Sequence, residues 1–521
     1  MQIIHQLDDF FYTIFPALKT CGEDELVQRI SDYYSYGPYK PKVILNNNLL
    51  TVEIDVPTIF SQKADFEKAT NFCEKGRYKE AKPILNQLIQ KNPTNSEYHR
   101  IMGQILSDEG DQEAAIDYLI SALRWDTKNG YALVMMGNIF SKYLNDTETA
   151  MKYYNQASVV NPKDYISINN IASTLLQLQK FEEAKAFFEK ALIINPKYPN
   201  TCYGLSLLAE KEGNLNVAFH QSLTAIKYNK NQDNLYHHSL KMAVDTAKKL
   251  IESETGKEIY LTYIQLLERK SAKKIKISAD SSIATAAKIE FAENYSRDFH
   301  LVKYKPEYPA FEHLVMHELV HLDLVISARE IAQNKLFISN ENNRVVFLKK
   351  LEPTLTKLRA KAVPQKNIEA YANALFRGMN SQIYNTPIDL FIENYLFHSY
   401  ESLRPYQFIS LFNLLKEEIK AVTDKSIIDL SPKDILSKSK IYNLVNALQF
   451  RELYGIDLLN EYAATKLELK AAQDFHTEYL DYQQNKEPGE EYELLQHWAE
   501  DLGLSDIFEL VDEDEFRKVV E

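Results

Sequence analysis

Apolar residues recur at three- and four-residue intervals through most of this chain. Stretches such as "GRYKEAKPILNQLIQKNP" and "QKFEEAKAFFEKALIINP" therefore predict amphipathic helices. Two stretches break the helical rhythm. In residues 1–64, "HQLDDFFYTIF" and "EDELVQRISDYYS" read as helices, while "PKVILNNNLLTVEIDV" reads as a hairpin around an Asn-rich turn. After Gly256, "KKIKISA", "AKIEFAEN" and "FHLVKYKP" are short β-rich runs, followed by helices broken at Pro353, Pro364, Pro387, Pro405, Pro432 and Pro488.

The helical rhythm is itself repeated. Ala81, Ala115, Ala150, Ala184 and Ala218 follow one another in steps of 34, 35, 34 and 34 residues. Asn92, Asp126, Asn161, Asn195 and Asn229 keep the same register, and Pro93, Pro162 and Pro196 follow three of them. A second small-residue column runs Ala122, Ala157, Ala191, Ala225. Small residues let two antiparallel helices approach closely, and Asn-Pro ends the second helix and turns the chain. The one 35-residue step falls at "KYLNDTETA", where a loop takes up an extra residue. This pattern resembles the tetratricopeptide repeat, in about five units. The resemblance implies an α-solenoid that binds a protein or peptide partner on its concave face. "LYHHSLKMAVDTAKKLIES" continues as a helix that caps the array, with His237 and His238 at its surface.

Composition narrows the classes. A 521-residue chain with 45% hydrophobic and 26% charged residues is a multidomain globular protein. A net charge of −13 argues against nucleic acid as the partner. No apolar run reaches 18 residues and the N-terminus lacks a basic signal region, so a cytoplasmic protein without a membrane span is expected. Cys21, Cys73 and Cys202 form no C-x-x-C pair and read as buried or partly buried thiols.

The candidate chemistry lies in "HLVMHELVHLDLV", where His317, Glu318 and His321 spell H-E-x-x-H. Residues four apart share a helix face, so both histidines can aim at one ion while Glu318 reaches a water beside it. His313, one turn earlier, extends the stripe; it either lines the cleft or is a core or surface histidine. The segment resembles the zincin metallopeptidases: strands, then the motif helix, then further helices. That resemblance implies Zn²⁺, with "FHLVKY" as the edge strand for an extended substrate. The longer motif with Gly and a third His is absent, since Leu324 and Ser327 occupy those places. This favours the gluzincin branch, in which a downstream Glu completes the metal site. Glu393 in "NTPIDLFIENYLF" is the first choice, with Thr386 and Asp389 capping its helix and Pro387 in its first turn. Glu369 in "NIEAYANALF" is the alternative, with Asn373 behind it. Tyr395, His398 and Tyr400 are the neighbouring candidates for oxyanion donor.

The expected architecture is mainly α: an N-terminal α-solenoid of helix hairpins, then an α+β zincin-like domain with a small sheet and the motif helix. The expected divisions are a small α+β unit at 1–64, the solenoid with its cap at 65–252, the zincin-like domain at 253–485 and an acidic tail at 486–521, read as a solvated end rather than an interaction segment. The resulting function is a zinc metallopeptidase in which Glu318 relays a proton from water to the leaving amine and the repeats recruit substrate or partner. The competing function is a non-catalytic adaptor with a degenerate zincin-like domain.

Overall fold

A computed structural model describes residues 1–36, 39–253 and 256–520, with the side chains of 426 and 518–520 left aside. The chain folds as two compact units, Met1–Pro196 and Lys197–Glu521.

The first unit begins with the expected hairpin, Lys42–Asn46 and Leu49–Glu53. Gln2–Gln6 adds to it as a third antiparallel strand, leaving Leu49–Glu53 central. Helices Asp9–Ile14 and Glu23–Tyr33 bring Phe11, Leu26 and Ile30 onto Leu50 and Val52.

Four helix hairpins follow: Val56–Glu74 with Tyr78–Lys91, Ser96–Asp108 with Gln112–Trp125, Gly130–Lys142 with Thr147–Val160, and Tyr165–Gln177 with Phe181–Ile194. The repeated residues explain them. Asn95, Asp111, Asn129, Asp146 and Asp164 each accept a backbone N–H as N-caps. Asn92, Asp126, Asn161 and Asn195 end the second helices. Ala81, Ala115, Ala150 and Ala184 are fully buried where the helix pairs meet. The extra residue of the long repeat lies in the turn between Lys142 and Thr147, where Asn145 adopts a positive φ of 52°.

A fifth hairpin, Pro199–Lys211 with Leu215–Tyr228, and the helix Asn234–Ser253 belong to the second unit. The sequence assigns them to the solenoid. Phe219 packs edge-on against Phe408 at 5.5 Å and joins the second unit's core, which explains their placement.

In that unit the three β-rich runs form one sheet in the order Lys274–Ala279, Phe299–Tyr304, Ala287–Glu290. Phe299–Tyr304 is therefore the central strand, parallel to the first and antiparallel to the last. Its backbone is committed on both sides, so the edge strand beside the motif helix is Ala287–Glu290 and not "FHLVKY". The motif helix runs Phe311–Glu330, unbroken past His321. Helix Gln365–Ser399 contains Pro387 in its interior, so Thr386 does not cap a new helix. Buried Ile383, Ile388, Leu390 and Ile392 hold it on both sides of the proline. Pro353 likewise lies inside Glu341–Ala360.

Residues 486–520 are not a solvated tail. Helix Glu491–Asp501 buries Tyr492, Leu494, Leu495 and Trp498, and Glu509–Asp512 pairs with Lys335–Ile338. Its two buried carboxylates are paired: Glu491 with Lys486 and Glu513 with Arg329. Among the described residues no helix is long and apolar enough to cross a membrane.

Candidate functional site

Two helices face each other with complementary stripes. The motif helix presents His313, His317 and His321 at four-residue intervals; the long helix Gln365–Ser399 presents Asp389 and Glu393, also four apart. The stripes run antiparallel, so each carboxylate bridges two histidines. Glu393 Oε2 accepts from His313 Nε2 at 2.9 Å and its Oε1 from His317 Nδ1 at 2.7 Å. Asp389 Oδ1 lies 3.2 Å from His317 Nε2 and 3.1 Å from His321 Nε2.

The two carboxylates have different surroundings. Glu393 is 3% exposed. Gln407 Nε2 donates to its Oε2 at 2.6 Å, and Tyr454 donates to Gln407 Oε1 at 2.8 Å. Asp389 opens onto a cavity of about 280 Å³, also lined by His317, Glu318, Asn385 and Thr386. Residues Thr285 to Ala287, leading into the edge strand, form part of its wall.

Charge follows this layout. Burial opposes the charged form of His317, but Asp389 and Glu393 outweigh it and hold its pKa well above the imidazole range. Burial likewise opposes ionisation of Asp389 and Glu393, and the facing histidines overcome it, lowering both carboxyls. Glu318 goes the other way: burial raises it, only partly offset by His321 and His317 and by the backbone of edge-strand Ile289.

Among the described residues, two groups of donors lie close enough for a metal ion, His313–His317–Glu393 and His317–His321–Asp389. They use opposite nitrogens of His317, so one ion cannot take both. A tetrahedral zinc site with bonds of ~2.0–2.1 Å separates its donors by roughly 3.3 Å. The Nε2 atoms of His317 and His321 stand close to that distance from Asp389 Oδ1, and His317 and Asp389 line the cavity. The donor chemistry of this second group fits zinc.

Of the residues singled out in the sequence, His317, Glu318, His321 and Glu393 come together. Glu393 meets His317 at Nδ1, the opposite ring nitrogen from the one that faces Asp389, and both carboxylates line the cavity. Glu369 does not join them: it is exposed, bonded to Gln365, and roughly 35 Å from Glu393 along the helix. Asn373 accepts from Arg344 instead. Tyr395 and His398 are exposed, and His398 pairs with the Asn394 carbonyl. The tyrosine at the site is Tyr384, stacked on His321 with ring centroids 6.5 Å apart. His313 is fully buried, lines the cavity and is a partner of Glu393. Asp389 was legible as the i−4 neighbour of Glu393; Gln407, on a different helix, had no local signal.

Comparison with known proteins bears on the helix hairpins. Tetratricopeptide repeat models match residues 63–95, 101–129, 131–163 and 166–198. The chain carries tetratricopeptide repeats, and all four matched segments precede the motif helix. It is 22% identical over 198 residues to the human Tetratricopeptide repeat protein 6, covering 37% of each chain. It is 21% identical over 153 residues to the Type IV pilus assembly protein PilF of Pseudomonas aeruginosa, covering 29% of this chain and 61% of that one. The chain thus spans between about a third and three fifths of these relatives' lengths. A solved structure of Pseudomonas aeruginosa PilF aligns over 40% of this chain with 21% identity and a TM-score of 0.34.

Proposed function

We propose that this is a protein-interaction protein that binds a peptide segment of its partner through the repeats. The observation that carries this reading is a groove of about 310 Å³ on the first helices of two successive hairpins, lined by Arg100, Gln104, Tyr131 and Asn138. Tyr131 is 68% exposed, and the Arg100 guanidinium sits 5.5 Å from its ring centre. An exposed aromatic beside a cation and two amides offers a peptide both apolar area and backbone hydrogen bonds. Selection from a peptide library on the full-length protein tests it. Peptides that bind wild type and lose at least tenfold in affinity against Arg100→Ala/Tyr131→Ala are expected. Equal binding by the variant removes the groove from the reading.

A second reading, that the second unit is a zinc metallopeptidase, is favoured by the convergence of His317 Nε2, His321 Nε2 and Asp389 Oδ1 beside a cavity. In it, these three residues hold the metal, and the third-ligand role moves from Glu393 to Asp389. Bound Zn²⁺ supplies Lewis acidity to a water and a peptide carbonyl. Glu393, fixed by Gln407, accepts the Nδ1 proton of His317 and so keeps Nε2 free as a donor. Glu318, with its raised pKa, accepts the proton of the attacking water and returns it to the leaving amine. The edge strand Ala287–Glu290 offers its free side to an extended peptide.

Elemental mass spectrometry of the full-length protein separates the two. About one zinc per chain, lost in His317→Ala/His321→Ala and in Asp389→Ala, is expected on the second reading. With zinc retained, Glu318→Gln is expected to abolish peptide hydrolysis. Absence of stoichiometric zinc after reconstitution leaves the adaptor alone.

A further inference from the structure

Most buried carboxylates of the second unit have a cation of their own: Glu491 has Lys486, Glu513 has Arg329, and Glu290 has Lys288, Arg297 and Lys303. Glu418, partly buried, lines the cavity beside the histidines and has no lysine or arginine partner among the described residues. Its Oε1 accepts from Asn446 at 2.9 Å and its Oε2 from the Tyr462 hydroxyl at a long 3.4 Å. A carboxylate can accept about four hydrogen bonds, so acceptor capacity is left over. The charges that bear on it, Asp389 and Glu417, are both negative. Among the described residues no lysine or arginine is paired with it. The same cavity carries Leu411, Leu414, Leu415 and Phe450, an apolar wall next to an acidic group.

We propose that this cavity recognises a cationic group of a peptide, with Glu418 as the counter-ion and the leucine wall covering the aliphatic stem that carries the charge. A guanidinium or ammonium on such a stem supplies what Glu418 lacks: hydrogen-bond donors and opposite charge in a place shielded from water. Burial pushes the Glu418 carboxyl up to about 8, so it carries its own proton at neutral pH until a cation arrives. Arginine or lysine side chains and a free amino terminus share this chemistry. The pocket's use for choosing substrates rests on the peptidase reading; the binding itself does not.

Titration calorimetry on the full-length protein, stripped of metal with chelator, tests the binding. The probes are three pentapeptides otherwise without charge. One is N-acetylated and amidated with a central arginine. The second carries citrulline there, the neutral isostere. The third has a free amino terminus and no basic side chain. The arginine peptide is expected to bind at least about tenfold more tightly than the citrulline peptide. Its binding at pH 7 is expected to release up to one proton, read from heats in buffers of different ionisation enthalpy. Glu418→Gln is expected to remove both the preference and the proton release. Preferential binding of the third peptide, also lost in Glu418→Gln, assigns the pocket to an amino terminus instead of a side chain. Equal affinity for arginine and citrulline without amino-terminal binding overturns the proposal, as does a preference that survives Glu418→Gln. Melting of the variant at pH 5, where the wild-type carboxyl is itself protonated, reports its folding. Zinc content is measured separately, so failure of the metal reading does not move these arms.

Discussion

The two units bury their apolar residues in different ways. In the first, the hairpins make small separate cores, such as Ala81, Leu85 and Ile105, then Ala115, Leu119 and Met136. Each is assembled from residues one or two helices apart. In the second, one continuous core runs from Phe219 to Phe508. Polar groups differ too. The caps of the repeats bind backbone two or three residues away, as Asp111 does with Ala114. The buried bond between His313 and Glu393 spans 80 residues. A chain of local units tolerates damage locally; a single core with buried charge answers as a whole.

The comparison can be broken most strongly at Trp498. It is fully buried, stacks on Phe475 at 4.8 Å between ring centres and donates to Glu478 at 3.0 Å. Trp498→Ala is expected to cost about 3–5 kcal/mol. Hydrogen exchange is expected to rise through the second unit and stay unchanged in the first; a loss of protection confined to Glu491–Asp501 would break the single-core description.

Next in size is a pH effect confined to the second unit. Glu418 has a folded pKa of about 8, above its ordinary 4.5. The folded state holds this proton more tightly than the unfolded one, so the associated stability is present below pH 4.5 and is lost as pH rises through 8. The loss between those limits is on the order of a few kcal/mol, about 1.4 kcal/mol for each unit by which the folded value exceeds the unfolded one. Glu418→Gln is expected to flatten the alkaline side of a denaturation series; an unchanged slope would remove Glu418 as its source.

A smaller effect tests the first unit. A Cβ on Gly137 would lie 2.4 Å from the Tyr154 ring. Gly137→Val is expected to cost about 1–3 kcal/mol through overpacking. Faster exchange is expected in Gly130–Lys142 and Thr147–Val160, and spread into the sheet at the start of the chain would contradict local damage. The smallest expected change is Asp111→Ala, about 1 kcal/mol from a lost N-cap, seen as fraying at the start of Gln112–Trp125.

Legibility followed the same division. The repeats were readable because each alanine and each Asn or Asp does its work within its own hairpin. The three strands after Gly256 were readable from their β-rich runs, but their order was not. "FHLVKY" became central because two other strands flank it, a fact that no pattern inside six residues contains. Pro387 misled: a proline reads locally as a helix start, while packing on both sides carries the helix through it. The acidic character of 486–520 also misled, because apolar Leu494, Leu495 and Trp498 are interleaved with the charges and the core takes them.

At the candidate site, His317, Glu318 and His321 were set by sequence alone, since four-residue spacing on a helix places both imidazoles on one face. Sequence also marked Glu393 as a carboxylate needing a partner in an apolar helix. Only the tertiary structure decided which helix faces the motif, in which direction, and by which nitrogen each histidine meets a carboxylate. It set Asp389 against His317 Nε2 and His321, set Glu393 against His317 Nδ1 and His313, and brought Gln407 and Glu418 in from a third helix. Periodicity is a property of one element, whereas the side of an imidazole that a carboxylate reaches depends on the packing of two.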